Sequence, residues 1–292
     1  EPRTARGTRT GVTRENASIG REATALVMLI LAVVAVSAWL RLHGAGLGCE
    51  EWPACYGRNF SHEDYRPPAL ARAIHRLVAS LALLLTLYLA WRARTLRPRP
   101  PWAPPVFALL GLMLGLAAVG GWSHDPRNAA VNFVNLVGGL LLVPISWRVM
   151  RNAGTDAHFP HGPRSSLVVA GIAALLATVT LGAWIGASHA AVDVSAAGVA
   201  LHWLHRGLAV LALLLLGQAA WRRLDARAAR ALLALLAVEL VLGVLLVVGD
   251  FPLLIAVAHN LTAALLLAMA WQLPGQPDNP HLSPLADDKR LD

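Results

Sequence analysis

Three histidines stand in stretches of chain that are otherwise apolar. His75 and His205 occur in Ala-Ile-His75-Arg76-Leu and Trp-Leu-His205-Arg206-Gly, 130 residues apart, and His259 lies in Val-Ala-His259-Asn-Leu-Thr-Ala-Ala-Leu. An ionisable side chain inside a segment that can cross a bilayer is retained for function by default, because its transfer from water is unfavourable. Imidazole is a ready iron ligand, and two imidazoles approaching from opposite faces complete the coordination of a haem iron. Counted from the expected helix starts, His205 and His259 each lie seven residues in. At ~1.5 Å per residue that is about 10 Å below the same surface. Equal depth on two helices of one bundle makes them the expected axial pair, with hydrogen-bonding between helices as the alternative use.

The neighbouring residues extend this reading. His202 shares a face with His205 at a spacing of three, which suits a supporting or propionate-binding role rather than ligation. Arg206 has the reach to turn toward a propionate or the membrane interface. His75 has the matching depth in the first half, with Arg72 and Arg76 nearby as propionate candidates. The position that should supply its partner is Val134, or Asn135 if the alignment moves by one, and neither is a usual haem ligand. That half therefore offers one axial histidine, compatible with a five-coordinate haem, a transient haem or none. Glu239 is an acid in the middle of another apolar run, where the first half has Gly111. A carboxyl there should be protonated or paired, as packing glue or as a proton-handling group. His43, His124 and His189 fall at helix ends, where interfacial roles are the default.

These residues must be positioned by membrane helices. Of 292 residues, 56% are hydrophobic and 14% charged, which is the composition of a membrane protein. Apolar runs near the ~20 residues needed to span a bilayer are expected at 24–42, 69–91, 104–122, 128–147, 166–187, 198–221, 229–248 and 252–272. Cleavage of a signal peptide is not expected, since the first run is long enough to span and follows an Arg-rich polar segment. The Pro- and Asp-rich residues 274–292 read as a solvated tail.

Charge then orients the chain. The formal net charge is +8, but 18 of the 25 basic residues fall at the N-terminus, in the even-numbered connections or at the C-terminus. The odd-numbered connections hold Glu50, Glu51, Glu63, Asp64, Asp125, Asp193 and Asp250. By the positive-inside rule both termini are cytoplasmic, and tryptophans cluster at the helix ends as interfacial belts require. The basic charge thus belongs to membrane topology and not to nucleic-acid binding. No glycine-rich phosphate loop follows a strand, and no strand is expected.

Cys49 and Cys55 lie together in the first outward connection, where an oxidising compartment permits a disulfide. Two thiols with no third or fourth ligand nearby make a poor zinc site. Further along, the chain repeats. Trp39 and Trp184 end the first and fifth spans, the His-Arg pairs open the second and sixth, and Asn135-Leu-Val-Gly-Gly-Leu-Leu-Leu matches Asn260-Leu-Thr-Ala-Ala-Leu-Leu-Leu. The expected fold is all-α: eight transmembrane helices as two tandem, pseudo-symmetric four-helix bundles, an arrangement that builds cofactor sites between facing helices. The expected divisions are a cytoplasmic tail (1–22), an N-terminal bundle (23–150), a cytoplasmic linker (151–165), a C-terminal bundle (166–273) and a cytoplasmic tail (274–292).

The loop Gly44-Ala-Gly-Leu-Gly-Cys49-Glu-Glu-Trp52-Pro53-Ala-Cys55, the two His-Arg openings and His259 together resemble the haem A synthase family of cytochrome oxidase assembly. The resemblance covers roughly residues 24–272. It implies haem b in the C-terminal half and a substrate haem, haem O or haem A, in the N-terminal half. It also implies a cytoplasmic-membrane enzyme that oxidises a haem O methyl group to a formyl group. Haem O synthase or respiratory oxidase subunits are the implied partners. Two positions depart from the family pattern. Arg72 occupies the place of a catalytic glutamate one turn before the first histidine, and Val134 or Asn135 the place of a second N-terminal histidine. These departures keep two further readings open: a member that carries haem b as an electron-transfer or structural subunit, and a haem-handling assembly factor.

Overall fold

The computed structural model describes residues 4–44, 69–122, 128–153, 165–188, 195–223, 226–271 and 273. All eight elements among them are α-helices: α1 (Thr4–Gly44), α2 (Ala69–Thr95), α3 (Ala103–Trp122), α4 (Ala129–Ala153), α5 (Ser166–Ala187), α6 (Ala196–Trp221), α7 (Arg227–Val248) and α8 (Leu253–Ala270). Each contains a segment long and apolar enough to cross a membrane, so the eight expected spans are present. Large apolar side chains such as Leu77, Leu84, Leu214 and Val244 stand exposed on α2, α6 and α7. In water such a surface would aggregate, whereas lipid solvates it. The expected disulfide between Cys49 and Cys55 lies outside the described residues, as do His124 and His189.

Helix ends follow local chemistry and shift some expected boundaries. α6 starts two residues before the expected 198 because the Ser195 hydroxyl accepts the Gly198 N–H at 3.1 Å, capping the first turn. The Asn128 side chain accepts from Ala130 N–H at 3.0 Å and starts α4 in the same way. α1 reaches back to Thr4, well before the apolar part that begins near Ala17, since residues 4–16 hold no proline to interrupt it. α4 continues past the expected 147 to Ala153, through Pro144. Buried hydroxyls are satisfied within their own helices: Thr86 donates to the Ala82 carbonyl at 2.8 Å and Ser146 to Val143 at 2.9 Å.

Contacts run from α1 through α2 and α3 to α4 and back to α1, and from α5 through α6 and α7 to α8 and back to α5. α4 also meets α5 and α8, and α1 meets α8, so α1, α4, α5 and α8 are central and α2, α3, α6 and α7 peripheral. The repeat seen in sequence recurs in burial. Ala82, Thr86, Leu89 and Ala90 of α2 are buried, and so are Ala212, Leu216, Ala219 and Ala220 of α6, each 130 positions on. A Glu22–Arg92 ion pair at 3.1 Å ties α1 to α2.

Small residues let the helices approach, as expected where lipid competes for every apolar face. At Gly171 of α5, an added Cβ would stand 2.7 Å from Leu216 Cδ2 and 3.3 Å from Leu215 Cβ of α6. Leu216 is fully buried and has nowhere to swing. Gly171→Ala should therefore push the two helices apart and destabilise the fold by about 1–3 kcal/mol. Thermal unfolding in detergent should show a lower Tm, and an unchanged Tm would refute the close-packing argument.

The turn between α7 and α8 is unusually tight. Asp250 and Phe251 both adopt left-handed backbone, with φ of 55° and 59°, a conformation that costs roughly 1–2 kcal/mol per non-glycine residue. The Phe251 N–H closes the turn on the Leu246 carbonyl at 2.8 Å. Phe251 also packs against the cluster of Leu42, Leu246 and Ala256, which joins the ends of α1, α7 and α8. The resulting hairpin sets the register in which the face of α7 carrying Glu239 meets the face of α8 carrying His259.

Candidate functional site

His205 projects from α6 against α5. Its Nδ1 stands 3.1 Å from the Thr178 main-chain oxygen. A carbonyl oxygen can only accept, so Nδ1 carries the proton and Nε2 keeps its lone pair for a ligand. The ring reaches that carbonyl because the residue one turn later is Gly182. A Cβ there would lie 2.8 Å from His205 Cε1 and 3.3 Å from Nδ1, in the space the imidazole fills. The Thr178 side chain turns away and donates to Ala174 O at 2.8 Å.

His259 is seated in a parallel way by the opposite hairpin. Its Nδ1 lies 3.1 Å from Glu239 Oε1 on α7. One turn after Glu239 comes Gly243, where an added Cβ would be 3.8 Å from His259 Cε1. In each case, then, an acceptor and a glycine four residues on, both from the preceding helix, receive the histidine of the next. The contact at His259 is looser. Neither His259 Nδ1 nor Glu239 Oε2 has an aligned hydrogen-bond partner among the described residues, although both atoms are buried.

α6 and α8 are diagonal members of their circuit of helices, and each histidine is turned onto the helix before it, His205 onto α5 and His259 onto α7. His202 lies one turn before His205 on α6. Arg206 is exposed and stacks over Trp203, 5.4 Å from its centroid. Among the described residues no group of three or more His, Cys, Asp or Glu side chains could hold a metal ion. Haem makes no such demand, because the porphyrin supplies the equatorial ligands and the protein only the axial ones. The donor set present, two half-buried imidazoles of which His205 is fixed with Nε2 available, fits haem.

The first half is built differently. His75 is half-buried on α2, with Arg72 and Arg76 exposed around it, and it has no hydrogen-bond partner among the described residues. Val134, which the repeat pairs with His259, is exposed. Aligning Trp39 with Trp184 places Ser37 where α5 has Gly182, and Gly111 stands where α7 has Glu239. His43 stacks on Trp39 with centroids 4.7 Å apart, and its buried Nδ1 lacks a partner among the described residues.

Several features escape sequence reasoning. The seating glycines Gly182 and Gly243 are two among 24 glycines, and the Thr178 acceptor is a main-chain atom. The spacing of four to an acceptor position is the one signal that marks them. Arg41 of α1 was likewise unforeseen: its guanidinium reaches Asn260, the neighbour of His259, at 3.4 Å. Asn260 in turn donates to Ala256 O at 2.8 Å, so α1 is tied to α8 beside the histidine.

Fold and site define a multi-pass helical membrane protein with imidazoles on two diagonal helices, each seated against the preceding helix, a donor set suited to haem iron. The chain belongs to the haem A synthase family: residues 21–271 match the COX15-CtaA family model, described as cytochrome oxidase assembly protein. A haem A synthase of Shewanella oneidensis is 28% identical, with the alignment covering 82% of this chain and 91% of that relative.

Proposed function

We propose that the protein is a haem A synthase-type haemoprotein of the cytoplasmic membrane, with both termini cytoplasmic and two tandem four-helix bundles. In this reading the C-terminal bundle holds haem b on His205 and His259, and the N-terminal bundle receives the haem O whose methyl group is oxidised to the formyl group of haem A. The observation that carries it is the matched seating of two histidines on diagonal helices, each against an acceptor and a glycine of the preceding helix. Haem b, when bound, supplies a one-electron redox couple. The protein's part is to present Nε2 of His205, to exclude water by apolar packing around α5 to α8, and to hold the rings at one depth. Arg206 and His202 are the candidates for the propionate side, and Cys49 and Cys55 for a disulfide on the outer face.

A second reading rests on the first half. Arg72 stands in place of the family's glutamate and Val134 or Asn135 in place of its second histidine, which removes a carboxylate able to accept a proton and one iron ligand. That favours a member retaining haem b as an electron-transfer or structural subunit, or as a haem-handling assembly factor. Extraction of the pigments from purified protein, with a reduced-minus-oxidised spectrum, separates the two. Haem b accompanied by haem O, its hydroxylated intermediate or haem A is the expected result for the synthase. Haem b alone, with no activity restored by Arg72→Glu, supports the second reading, and a protein with no haem refutes both.

A further inference from the structure

We propose that Glu239 is a positioning residue for the iron centre: its carboxylate fixes the orientation of His259 and strengthens that imidazole as an iron donor. The proposal rests on the assignment of His259 as an axial ligand.

Geometry motivates it. Glu239 Oε1 lies 3.1 Å from His259 Nδ1, the ring nitrogen that faces away from iron when Nε2 is the ligand. Both side chains are largely buried, on helices that present mainly apolar residues to lipid. Glu239 Oε2 and His259 Nδ1 each lack an aligned partner among the described residues. Two unsatisfied polar atoms side by side in an apolar setting are unfavourable by about 1–3 kcal/mol each, and a small rotation of the imidazole satisfies one of them. Gly243 leaves room for that rotation, since an added Cβ would be at ordinary contact distance, 3.8 Å, from His259 Cε1. His205 has no such latitude, with Gly182 closed against it and Thr178 O already engaged.

The two axial positions therefore differ in kind. A neutral main-chain carbonyl supports His205, whereas a carboxyl group supports His259. A carboxylate accepting from the distal nitrogen of a ligating imidazole raises its basicity and stabilises the oxidised metal. The same contact selects the tautomer that directs Nε2 to iron. Among the described residues the acid is particular to this half, because the matching position on α3 is Gly111.

The test is potentiometry and low-temperature electron paramagnetic resonance on the full chain, comparing Glu239→Gln and Glu239→Leu with the unaltered protein. The component examined is the b-type signal that disappears in His205→Ala. Glutamine keeps size and a neutral acceptor, so Glu239→Gln should retain haem, raise its midpoint potential and widen the spread of g-values as imidazolate character is lost. Glu239→Leu removes the acceptor and should lower the haem-to-protein ratio roughly tenfold. Unchanged potential and g-values in a haem-replete Glu239→Gln would overturn the proposal while leaving His259 ligation standing. If His259→Ala retains the b-type signal, the ligand assignment itself fails, and the proposal with it.

Discussion

His205→Ala and His259→Ala should each abolish the b-type spectrum of the purified protein, whereas His75→Ala should leave it in place. The two histidines belong to α6 and α8, which stand diagonally in their circuit, and each ring is seated against the preceding helix. In the proposed assignment, alanine at either position removes one of the two axial donors and leaves the other ring without its counterpart. Because loss of a mere supporting partner weakens metal binding ~10–100-fold, loss of a ligand should exceed that, and haem should not survive purification in detergent. His75 lies in the other circuit of helices and has no comparable seat. Haem-to-protein ratios and reduced-minus-oxidised spectra of the three variants decide the matter. Loss of the b-type band in His75→Ala, with retention in the other two, would transfer the site to the first half.

The second large effect should come from a single methyl group. Gly182→Ala places a Cβ 2.8 Å from His205 Cε1, well inside contact distance, where the imidazole and not a flexible side-chain tip must give way. Among the described residues α5 and α6 form the most extensive helix pair, so the backbones have little freedom to part. The ring must tilt off the Thr178 carbonyl, losing both the tautomer selection and the hydrogen bond. An overpacking penalty of about 1–3 kcal/mol, with about 1 kcal/mol for the bond, corresponds to haem retention roughly 30- to 700-fold weaker at 1.4 kcal/mol per decade. Gly186→Ala, one turn further along α5, is the internal control. Its Cβ would meet only Leu136 Cδ2, at 3.9 Å, an ordinary contact away from the histidine, and haem should stay bound. Equal losses in both variants would show that the glycines act through helix packing in general and not by seating His205.

The N-terminal half shows what the absence of such a seat means. With Ser37 at the place of Gly182 and Gly111 at the place of Glu239, neither half of the acceptor-and-glycine arrangement recurs around His75. The exposure of Val134 completes the contrast. In the proposed reading, a bundle with one candidate ligand suits a passing substrate better than a resident group. This asymmetry is consistent with both readings of function, and Arg72 is the residue on which they divide.

Much was legible from the chain alone. Hydropathy determined eight spans, because bilayer thickness sets how long an apolar helix must be and any sequence of that length and composition satisfies it. The 130-residue spacing of the His-Arg pairs marks α2 and α6 as equivalent, and the structure buries equivalent positions on both. Residue type nominated His205, His259 and Glu239, because a titratable group among leucines stands out however the helix is turned. Only the tertiary structure decided which neighbours those groups meet. Whether Glu239 opposes His259 depends on the rotation of α7 against α8 across the turn at Asp250 and Phe251, both in left-handed backbone. That Gly182 seats His205 depends on how closely α5 approaches α6, and that Arg41 reaches Asn260 depends on α1 packing against α8. A helix carries its own periodicity in its sequence, but its crossing angle and register against another helix are properties of the pair, set by the packing of all the faces at once.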